Sequence, residues 1–546
     1  MRDLAKWAGL SILVLAILGW GAGKTTIAGP FSDPISGFRA QDETMYASSA
    51  LDLVAHDGWL TPRVLGRYLL VKPPLLIWLA GFSLKMMGQS SLALRLPVLL
   101  AAVFATVLLI FWSRSRHSRW IAFLTGFLLV ANPLWHILSR VCYTDMLLVA
   151  AMGAALFTLL RDPALAGRKS LWIFAAATCA GVMAKNVAGL LPLLILLLSS
   201  LPAVPGQRPK IARLVQLAGA IALLAAPWHL YQLAVHPQWF WTDYVQIQLL
   251  QFGLKPPAQT SAEGPVWFYA RRLFLMDPLL CVLALAAVPA LVRDLRQRKT
   301  EAILLLCWLL VCAAALLAFR YRNLPYLVYA IAPLALIAAI YSPLASIRYR
   351  ALFAGLLAAV FCVKIAMAEQ PSGLAYGTER PIPSAAALRH YAEQGRPNEL
   401  IAVAPDDEFY AAVLPLPRVR YCYVDPDGVV RRYAPHYADL GITLSVAEFN
   451  DLDRRMAQFR DRLRAWGLDS AAPIGTTIAA RSTAEVMEMI EKHPHSDFYL
   501  PGDMRAQVER LAGGKRRIEQ TSTGRFFLLD ATSAGDFPRR HLPEPW

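Results

Sequence analysis

The stretch LPVLLAAVFATVLLIFW, residues Leu96–Trp112, decides the class of this protein because it contains no charged residue. A helix needs about 20 consecutive, mostly apolar residues to cross a bilayer. Comparable apolar blocks recur along the first two thirds of the chain, at Trp7–Gly21, Trp120–Leu138 and Val187–Leu201. This repetition predicts a polytopic α-helical membrane protein.

The overall composition agrees with a membrane protein. The 546 residues are 56% hydrophobic and 17% charged, whereas a soluble domain is about 25% charged. The net charge of +16 could indicate nucleic-acid binding. The basic residues fall at helix ends, however, which favours cytoplasmic loops and contact with anionic lipid. We therefore predict membrane lipids, and no nucleic acid, as partners.

The basic clusters also predict the orientation of the chain. With Arg2 and Lys6 inside, the later clusters fall on alternate loops, as the positive-inside rule requires. They lie at residues 114–119, 161–169, 208–213, 293–299 and 348–350. About eleven spans result, within a range of 11–13 transmembrane helices. Pro73–Met87 and Ala234–Phe252 are interpreted as helices along the membrane surface, although the first could be a span.

The end of the chain differs in composition. The last apolar run, Leu352–Met367, delivers residues 369–546 to the outer face. Within this polar segment strands are predicted at Leu400–Ala404, Arg418–Tyr423 and Phe526–Leu529, and helices at Val446–Trp466 and Thr483–Lys492. We predict a transmembrane domain over residues 1–368, with a first outer loop at 30–90, followed by an α/β domain in the periplasm over 369–546.

Ionisable residues gather at the predicted outer edge of the membrane. Charges within spans are costly and are presumed functional. Both acids and cations are found on this one face, which suits a site handling a phosphate and an electrophilic sugar carbon. The candidates are Asp42, Glu43, Tyr46, Tyr68, Lys72, Asp145, Lys185, Arg320 and Arg322.

Each of these residues also has a simpler interpretation. Lys72 and Lys185 could be anchors whose ammonium groups extend to the interface. Asp145 could cap the apolar helix that follows it, and Asp42 could cap a helix over Glu43–Ala55. Such a cap is compatible with catalysis, so both interpretations stay open. The arginines at 320 and 322 could equally be interfacial anchors.

The sequence contains no clear cofactor motif. No HExxH pattern is present, and the pair His493-Pro-His495 lies far along the chain from the acids. The seven cysteines are scattered without a CxxC pair, which indicates neither a disulfide framework nor a zinc site. A divalent cation bridging acids and a histidine is left open as the one cofactor alternative.

The first outer loop resembles a known family signature. Its elements are Gln41-Asp-Glu-Thr-Met-Tyr46, Asp57-Gly-Trp-Leu-Thr-Pro62, Val71-Lys-Pro-Pro74 and Leu94-Arg-Leu-Pro97. Together they resemble the protein-mannosyltransferase-like GT-C glycosyltransferases, and most of all the bacterial 4-amino-4-deoxy-L-arabinose lipid A transferases. Gly181-Val-Met-Ala-Lys185 and Gly264-Pro-Val-Trp-Phe-Tyr269 are similar to later patterns of these enzymes. Two departures are the adjacent Gly58 and Trp59, and Asn323 where the family usually has Lys.

The resemblance implies a GT-C fold and a specific reaction. A monomer in the inner membrane would move aminoarabinose from undecaprenyl phosphate to a lipid A phosphate at the periplasmic face. Such transfer confers resistance to cationic peptides. Asp42 would be the catalytic acid of the first loop and Asp145 the second acidic residue. Lys72 and Lys185 would bind donor or acceptor phosphates.

Two other interpretations compete with this one. A GT-C enzyme could instead transfer another polyprenyl-linked sugar, such as mannose, to protein or glycan. A secondary transporter would also have many spans, but it usually shows inverted repeats and charges at the midplane. Here no repeat is evident and the charges cluster on one face. The transporter is therefore the weaker alternative.

Overall fold

The computed structural model describes most of the helical part and much of the sheet near the end of the chain. The described residues are 2–20, 22, 41–56, 58–64, 67–68, 72–88, 90–237, 240–251, 264–319, 322–368, 387, 391, 394–396, 398–403, 419–424, 478–480, 483–513, 516–521 and 524–531.

Sixteen α-helices are described before residue 369. They are α1 (Arg2–Leu18), α2 (Gln41–His56), α3 (Leu75–Met87), α4 (Ser91–Arg116), α5 (Arg119–Val130), α6 (Pro133–Leu138), α7 (Asp145–Arg161), α8 (Arg168–Lys185), α9 (Leu191–Ser200), α10 (Ile211–Val235), α11 (Pro265–Met276), α12 (Pro278–Ala286), α13 (Val288–Arg296), α14 (Thr300–Ala318), α15 (Val328–Tyr341) and α16 (Arg350–Ala368).

Shorter elements connect these helices. A π-helical segment covers Phe240–Gln251, within the predicted surface helix Ala234–Phe252, and 3-10 turns cover Asn186–Leu190, Pro205–Gln207, Leu324–Leu327 and Pro343–Ser346. A two-stranded antiparallel ribbon pairs β1 (Arg63–Val64) with β2 (Arg67–Tyr68). The helices α2 and α3 confirm the helices predicted in the first outer loop.

Fewer helices in the described residues are long and apolar enough to cross a membrane than the eleven to thirteen spans predicted for the chain. In the described residues five helical runs are long and apolar enough to cross a membrane, or six if the bent pair α12–α13 is one span. Three further apolar helices are shorter, at Lys6–Gly19, Leu75–Met87 and Arg119–Val130. The three shorter helices and the residues outside the described ranges do not enter this count.

The helical bundle is organised around α7. This helix is buried along nearly its whole length, and α4 and α8 pack beside it. Its sequence, DMLLVAAMGAALFTLLR, is apolar on every face, as expected of a helix enclosed by others. The helix α15 is buried in the same way. These two central helices fix the backbone positions of the candidate site.

A buried polar network ties three other helices together. The Asp277 carboxylate accepts hydrogen bonds from the Lys364 ammonium on α16, the Leu280 backbone N–H and the Asn132 side-chain amide, the last at 2.9 Å. Asp277 is fully buried. A buried carboxylate is costly unless it is paired and hydrogen-bonded, so this network joins α6, α12 and α16 at a defined position.

The chain ends in a six-stranded mixed sheet. Its strands are β3 (Leu400–Val403), β4 (Val419–Val424), β5 (Ile478–Ala480), β6 (Asp497–Leu500), β7 (Arg516–Gln520) and β8 (Phe526–Asp530), in the order β5-β4-β3-β6-β8-β7. The strands β5, β4, β3 and β6 are parallel to one another. The strand β8 is antiparallel to both of its neighbours, β6 and β7. In the described part of this segment the sheet is accompanied by α17 (Thr483–Lys492) and α18 (Arg505–Ala512).

The predictions for this segment are partly confirmed. The strands near residues 400, 419 and 526 are present, and α17 has the predicted bounds. The predicted helix Val446–Trp466 lies outside the described residues. Asp497 binds the preceding chain to the sheet by accepting hydrogen bonds from Tyr391, Arg396 and Asn398. Burial, together with the neighbouring Asp497 carboxylate, raises the pKa of Tyr391.

Candidate active site

The candidate site lies where α7 begins, α8 ends and α15 begins. Asp145 is the first residue of α7 and Lys185 the last residue of α8. The Lys185 ammonium donates a hydrogen bond to Asp145 Oδ1 at 2.6 Å, and the Tyr329 hydroxyl donates to the same oxygen. Three residues that are distant in sequence thus meet around one carboxylate oxygen.

The Asp145 carboxylate does not act as a helix cap. The N-cap of α7 is Thr144, and no side chain caps the first turn. The Asp145 side chain is almost completely buried and is engaged by a lysine and a tyrosine. The capping interpretation was therefore wrong. The structure instead gives Asp145 the role of fixing the Lys185 ammonium.

Two aromatic rings complete the surroundings of Lys185. Its ammonium lies 4.5 Å from the ring centroid of Tyr326 and 5.4 Å from that of Tyr329. Aromatic faces attract ammonium groups, most strongly where water is excluded. The Lys185 side chain is only 11% exposed. Its ammonium is therefore held in one position, beside the cavity that this residue lines.

This cavity has a volume of about 370 Å³. Two lysines line it together with amide, aromatic and aliphatic side chains. They are Lys72, Lys185, Asn186, Val187, Ala188, Leu191, Gln248, Leu249, Ala315, Leu316, Phe319, Tyr326 and Tyr329. A cavity with two ammonium groups and a largely apolar wall is suited to a lipid that carries an anionic head group.

A tight reversal of the chain places Lys185 beside the cavity. After α8, Asn186 adopts a φ of +54°, in the range that favours glycine and is uncommon for other residues. The following 3-10 turn packs back on α8, since a Cβ added at Gly189 would lie 1.9 Å from the Val182 backbone nitrogen. Gly189 is therefore required for the close approach that returns the chain past Lys185.

Lys72 reaches the cavity from the first outer loop. It precedes the buried pair Pro73 and Pro74, after which α3 begins. Proline is favoured next to the first turn of a helix, where its missing N–H leaves no hydrogen bond unmade. The Lys72 side chain is half-buried and lines the cavity with Lys185. Lys72 and Lys185, each predicted separately as a phosphate-binding residue, thus line the same cavity.

The Gly–Trp element of the first loop is held against neighbouring helices. The Trp78 indole on α3 donates to the Trp59 carbonyl. The Trp228 indole and the Gln232 amide on α10 donate to the Leu60 carbonyl at 2.9 and 2.6 Å. These hydrogen bonds fix the loop that leads to Lys72.

Glu43 is placed away from the cavity. It is completely buried, and both its oxygens accept hydrogen bonds from the Arg95 guanidinium, at 2.6 and 3.0 Å. The Cys142 backbone N–H donates to it as well, at 2.9 Å. Arg95 also donates to the Ala22 carbonyl. Glu43 therefore joins α2 to α4 and to the chain before α7, and the expectation of a substrate contact is corrected.

The structure describes the side chains of only some of the remaining predicted residues. Tyr46 is buried in the bundle core, because it lies on the same face of α2 as Glu43. It therefore does not line the cavity, contrary to the predicted substrate contact. Arg322 is half-buried beside Asn323, whose N–H donates to the Tyr269 hydroxyl at 3.3 Å. For Asp42 and Tyr68 the structure describes the backbone but not the side chain. Arg320 lies outside the described residues.

Sequence reasoning assigned no role to Tyr326, Tyr329 or Arg95. Tyr326 and Tyr329 occur in the pattern Asn323-Leu-Pro-Tyr-Leu-Val-Tyr329, whose spacing of three places both rings on one helical face. That spacing was a usable signal. Arg95, within Leu94-Arg-Leu-Pro97, was part of a motif but received no role. Its charge inside the apolar helix α4 was the signal for a buried partner.

The metal alternative depends on side chains that can act as ligands lying close together. Among the described residues no group of three His, Cys, Asp or Glu side chains converges. His229, a residue of α10, contacts the Tyr244 hydroxyl through Nε2 at 2.8 Å. In the sheet region His495 lies 3.5 Å from Asp530.

Comparison with known proteins supports the resemblance. Residues 71–231 match the family described as dolichyl-phosphate-mannose-protein mannosyltransferase. The undecaprenyl phosphate-α-4-amino-4-deoxy-L-arabinose arabinosyl transferase 1 of Sodalis glossinidius is 29% identical over 326 residues, 55% of this chain and 54% of that protein. The corresponding transferase of Pectobacterium atrosepticum is 28% identical over 320 residues, with 55% and 54% covered. The chain spans about half the length of the curated relatives it matches.

The fold has a counterpart among solved structures. The crystal structure of ArnT from Cupriavidus metallidurans in the apo state has a TM-score of 0.63 and 15% identity, covering 98% of this chain and 100% of that one. The same protein bound to undecaprenyl phosphate gives a TM-score of 0.54 over 98% and 99% of the two chains. The predicted resemblance and the polytopic GT-C fold are thereby confirmed.

Proposed function

We propose that this protein transfers 4-amino-4-deoxy-L-arabinose from undecaprenyl phosphate to a phosphate of lipid A, at the periplasmic face of the inner membrane. The observation that carries the proposal is the cavity lined by Lys72 and Lys185. The names of the curated relatives support the choice of sugar and of lipid carrier. The positive-inside rule supports the orientation, because the basic loops lie at the opposite end of the bundle.

The two ends of a polyprenyl phosphate match two parts of the cavity. Its phosphate would bind the Lys72 and Lys185 ammonium groups, because charge-assisted hydrogen bonds to phosphate are the strong ones. Its isoprenoid chain would contact the apolar wall formed by residues such as Leu191, Leu249 and Phe319. The substrate would enter laterally from the bilayer.

The reaction is a substitution at the anomeric carbon of the sugar. An oxygen of the acceptor phosphate forms the new bond to that carbon, while the bond to the undecaprenyl phosphate oxygen breaks and its electron pair leaves with the phosphate. Negative charge builds up on the leaving phosphate, where Lys72 and Lys185 stabilise it. Charges held in place before the reaction lower the barrier without reorganisation.

The acceptor determines what the acids do. A phosphate monoester has a second pKa of about 6 and is already ionised at neutral pH, so a general base is not required. Asp42 would therefore orient the sugar or its amine. Asp145, whose oxygen is engaged by Lys185 and Tyr329, is a positioning residue in this proposal. It holds the lysine and does not contact the reacting atoms.

Lipid A mass spectrometry tests the proposal. Cells lacking the gene are complemented with wild type, Lys72→Ala or Lys169→Ala, the last an exposed lysine at the start of α8. Wild type and Lys169→Ala should restore the aminoarabinose adduct, while Lys72→Ala should not. Membrane levels of all three proteins are measured in parallel. An unchanged lipid A profile after deletion would overturn the acceptor, and mannosylated proteins would then be examined.

A further inference from the structure

A second cavity lies at the opposite end of the bundle from the candidate site. Its volume is about 530 Å³, and α1, α4, α5 and α16 form its walls. The Arg116 guanidinium, near this end of α4, donates to the Leu160 carbonyl at the end of α7. Since Leu160 lies 15 residues beyond Asp145 on α7 and each residue rises 1.5 Å, Asp145 and this end of the bundle are separated by about 22 Å along the axis.

The lining of this groove combines cations with apolar side chains. Lys6, Arg114 and Arg119 are its charged lining residues, and none of the lining residues that the structure describes is acidic. Arg114 lies over the Trp7 ring, with its guanidinium carbon 6.0 Å from the centroid. The remaining lining is hydrophobic, with Ala122 and Ala358 among its small side chains. Small residues on α5 and α16 leave room for a chain between these helices.

The length of the groove corresponds to one leaflet. Lys6 to Ile17 on α1 and Arg119 to Val130 on α5 each cover about 16 Å of helix. The hydrocarbon core of a bilayer is about 30 Å thick. An apolar channel that starts at a cationic rim and extends through half the core has the dimensions of a phospholipid acyl chain with its head group at the rim.

We propose that this groove binds a phospholipid with an acidic head group from the cytoplasmic leaflet. Its phosphate contacts Arg114 and Arg119, and one acyl chain lies between α5 and α16. The positive-inside rule places the rim at the cytoplasmic surface, where anionic lipids attract basic residues near the membrane, and basic pockets between helices bind acidic head groups. The inference rests on charge complementarity and is independent of the transfer reaction.

The test measures which lipids stay with the full-length protein. The protein is reconstituted in nanodiscs of phosphatidylethanolamine and phosphatidylglycerol, extracted into mild detergent, and its retained lipids are quantified by mass spectrometry. Wild type should retain phosphatidylglycerol in preference to phosphatidylethanolamine. The double variant Arg114→Gln/Arg119→Gln should lose this preference by about 100-fold, since each hydrogen bond to the charged phosphate contributes about tenfold.

Two further variants distinguish specific binding from general attraction. Arg168→Gln/Lys169→Gln removes two exposed cations from the same membrane face at the start of α8 and should leave the retained lipid unchanged. Ala358→Phe keeps all charges but fills the groove, and should abolish retention. Size-exclusion profiles verify that each variant remains folded. Equal losses in the α8 variant, unchanged retention after Ala358→Phe, or a polyprenyl phosphate as the retained lipid would overturn the proposal.

Discussion

Two ion pairs of this protein bury similar charges but differ in what surrounds them. Glu43 and Arg95 are enclosed by protein, and the carboxylate accepts hydrogen bonds from the Arg95 guanidinium and the Cys142 backbone N–H. Asp145 and Lys185 form the second pair, whose lysine lines the cavity of the candidate site. A pair saturated by internal hydrogen bonds serves the fold, whereas a cation that is positioned beside an open space can serve a ligand.

Loss of Arg95 should have the largest effect on folding. Arg95→Leu leaves the Glu43 carboxylate buried without a counter-charge, which costs about 3–5 kcal/mol when one partner of a buried pair is removed. We expect little monodisperse protein, and a strongly lowered apparent Tm for what remains. Thermal aggregation followed by size exclusion measures this loss. Arg293→Leu, at a largely exposed arginine, is the control, and equal melting of both variants would contradict the distinction.

Loss of Lys185 should instead be seen mainly in catalysis. Lys185→Met removes a cation that would stabilise the leaving phosphate, and loss of one such electrostatic contact costs about 10²–10³ in kcat. Sugar transfer in membrane vesicles, normalised to folded protein, measures it. Lys364→Met, which removes the lysine paired with Asp277 outside the cavity, should lower stability but keep transfer per folded molecule. The same catalytic loss in both variants would refute a special role for Lys185.

Loss of the Tyr329 hydroxyl should lower sugar transfer, but by less than loss of the Lys185 ammonium. Tyr329→Phe keeps the ring beside Lys185 but removes the hydrogen bond to Asp145. Hydrogen bonds to charged groups contribute about 1.5–3 kcal/mol, so we expect transfer to fall about tenfold while the protein remains folded. Tyr341→Phe, at the other end of α15, provides the comparison. A Tyr329→Phe enzyme with wild-type transfer would show that Asp145 holds Lys185 without help.

An exposed pair should show the smallest effect. Arg505 and Glu509 form an i,i+4 ion pair on α18 at 2.7 Å, with both side chains about half exposed. Such pairs contribute about 0.3–0.5 kcal/mol. Glu509→Ala should therefore leave the apparent Tm within the error of the measurement. A fall in apparent Tm as large as that of Arg95→Leu would mean that the distance between the charged groups, and not their burial, determines how much an ion pair stabilises the protein.

The sequence predicted the local elements better than their partners. The composition of Thr483–Lys492 and the apolar spacing of α2 are local properties, and both helices formed as expected. The sheet order depends on pairings between distant strands, such as Leu400 with Asp497, and no local pattern encodes them. Likewise Glu43 and Asp145 are both acidic residues in the sequence, and only the fold pairs Glu43 with Arg95 and Asp145 with Lys185, the lysine that lines the cavity.

The structure gives the positions of the described candidate side chains, and the roles assigned to them stay predictions. The lysines at 72 and 185 were predicted separately, from charges next to prolines and within an apolar run, and they line one cavity. The spacing of Tyr329 from Tyr326 was visible in the sequence, but its contact with Asp145 was not, because it joins residues 184 positions apart. The roles of Asp42, Tyr68 and Arg320 stay predictions.

The contact between Gly189 and α8 has a consequence for how this protein tolerates mutation. Alanine at this position would place a methyl group within 1.9 Å of the Val182 nitrogen and 2.2 Å of the Gly181 carbonyl carbon. The reversal that contains Lys185 would have to open. A saturation mutagenesis screen would then score a residue without any functional group as severely as an active-site lysine. Sensitivity to substitution in this region therefore maps the shape of the backbone as much as the chemistry of the side chains.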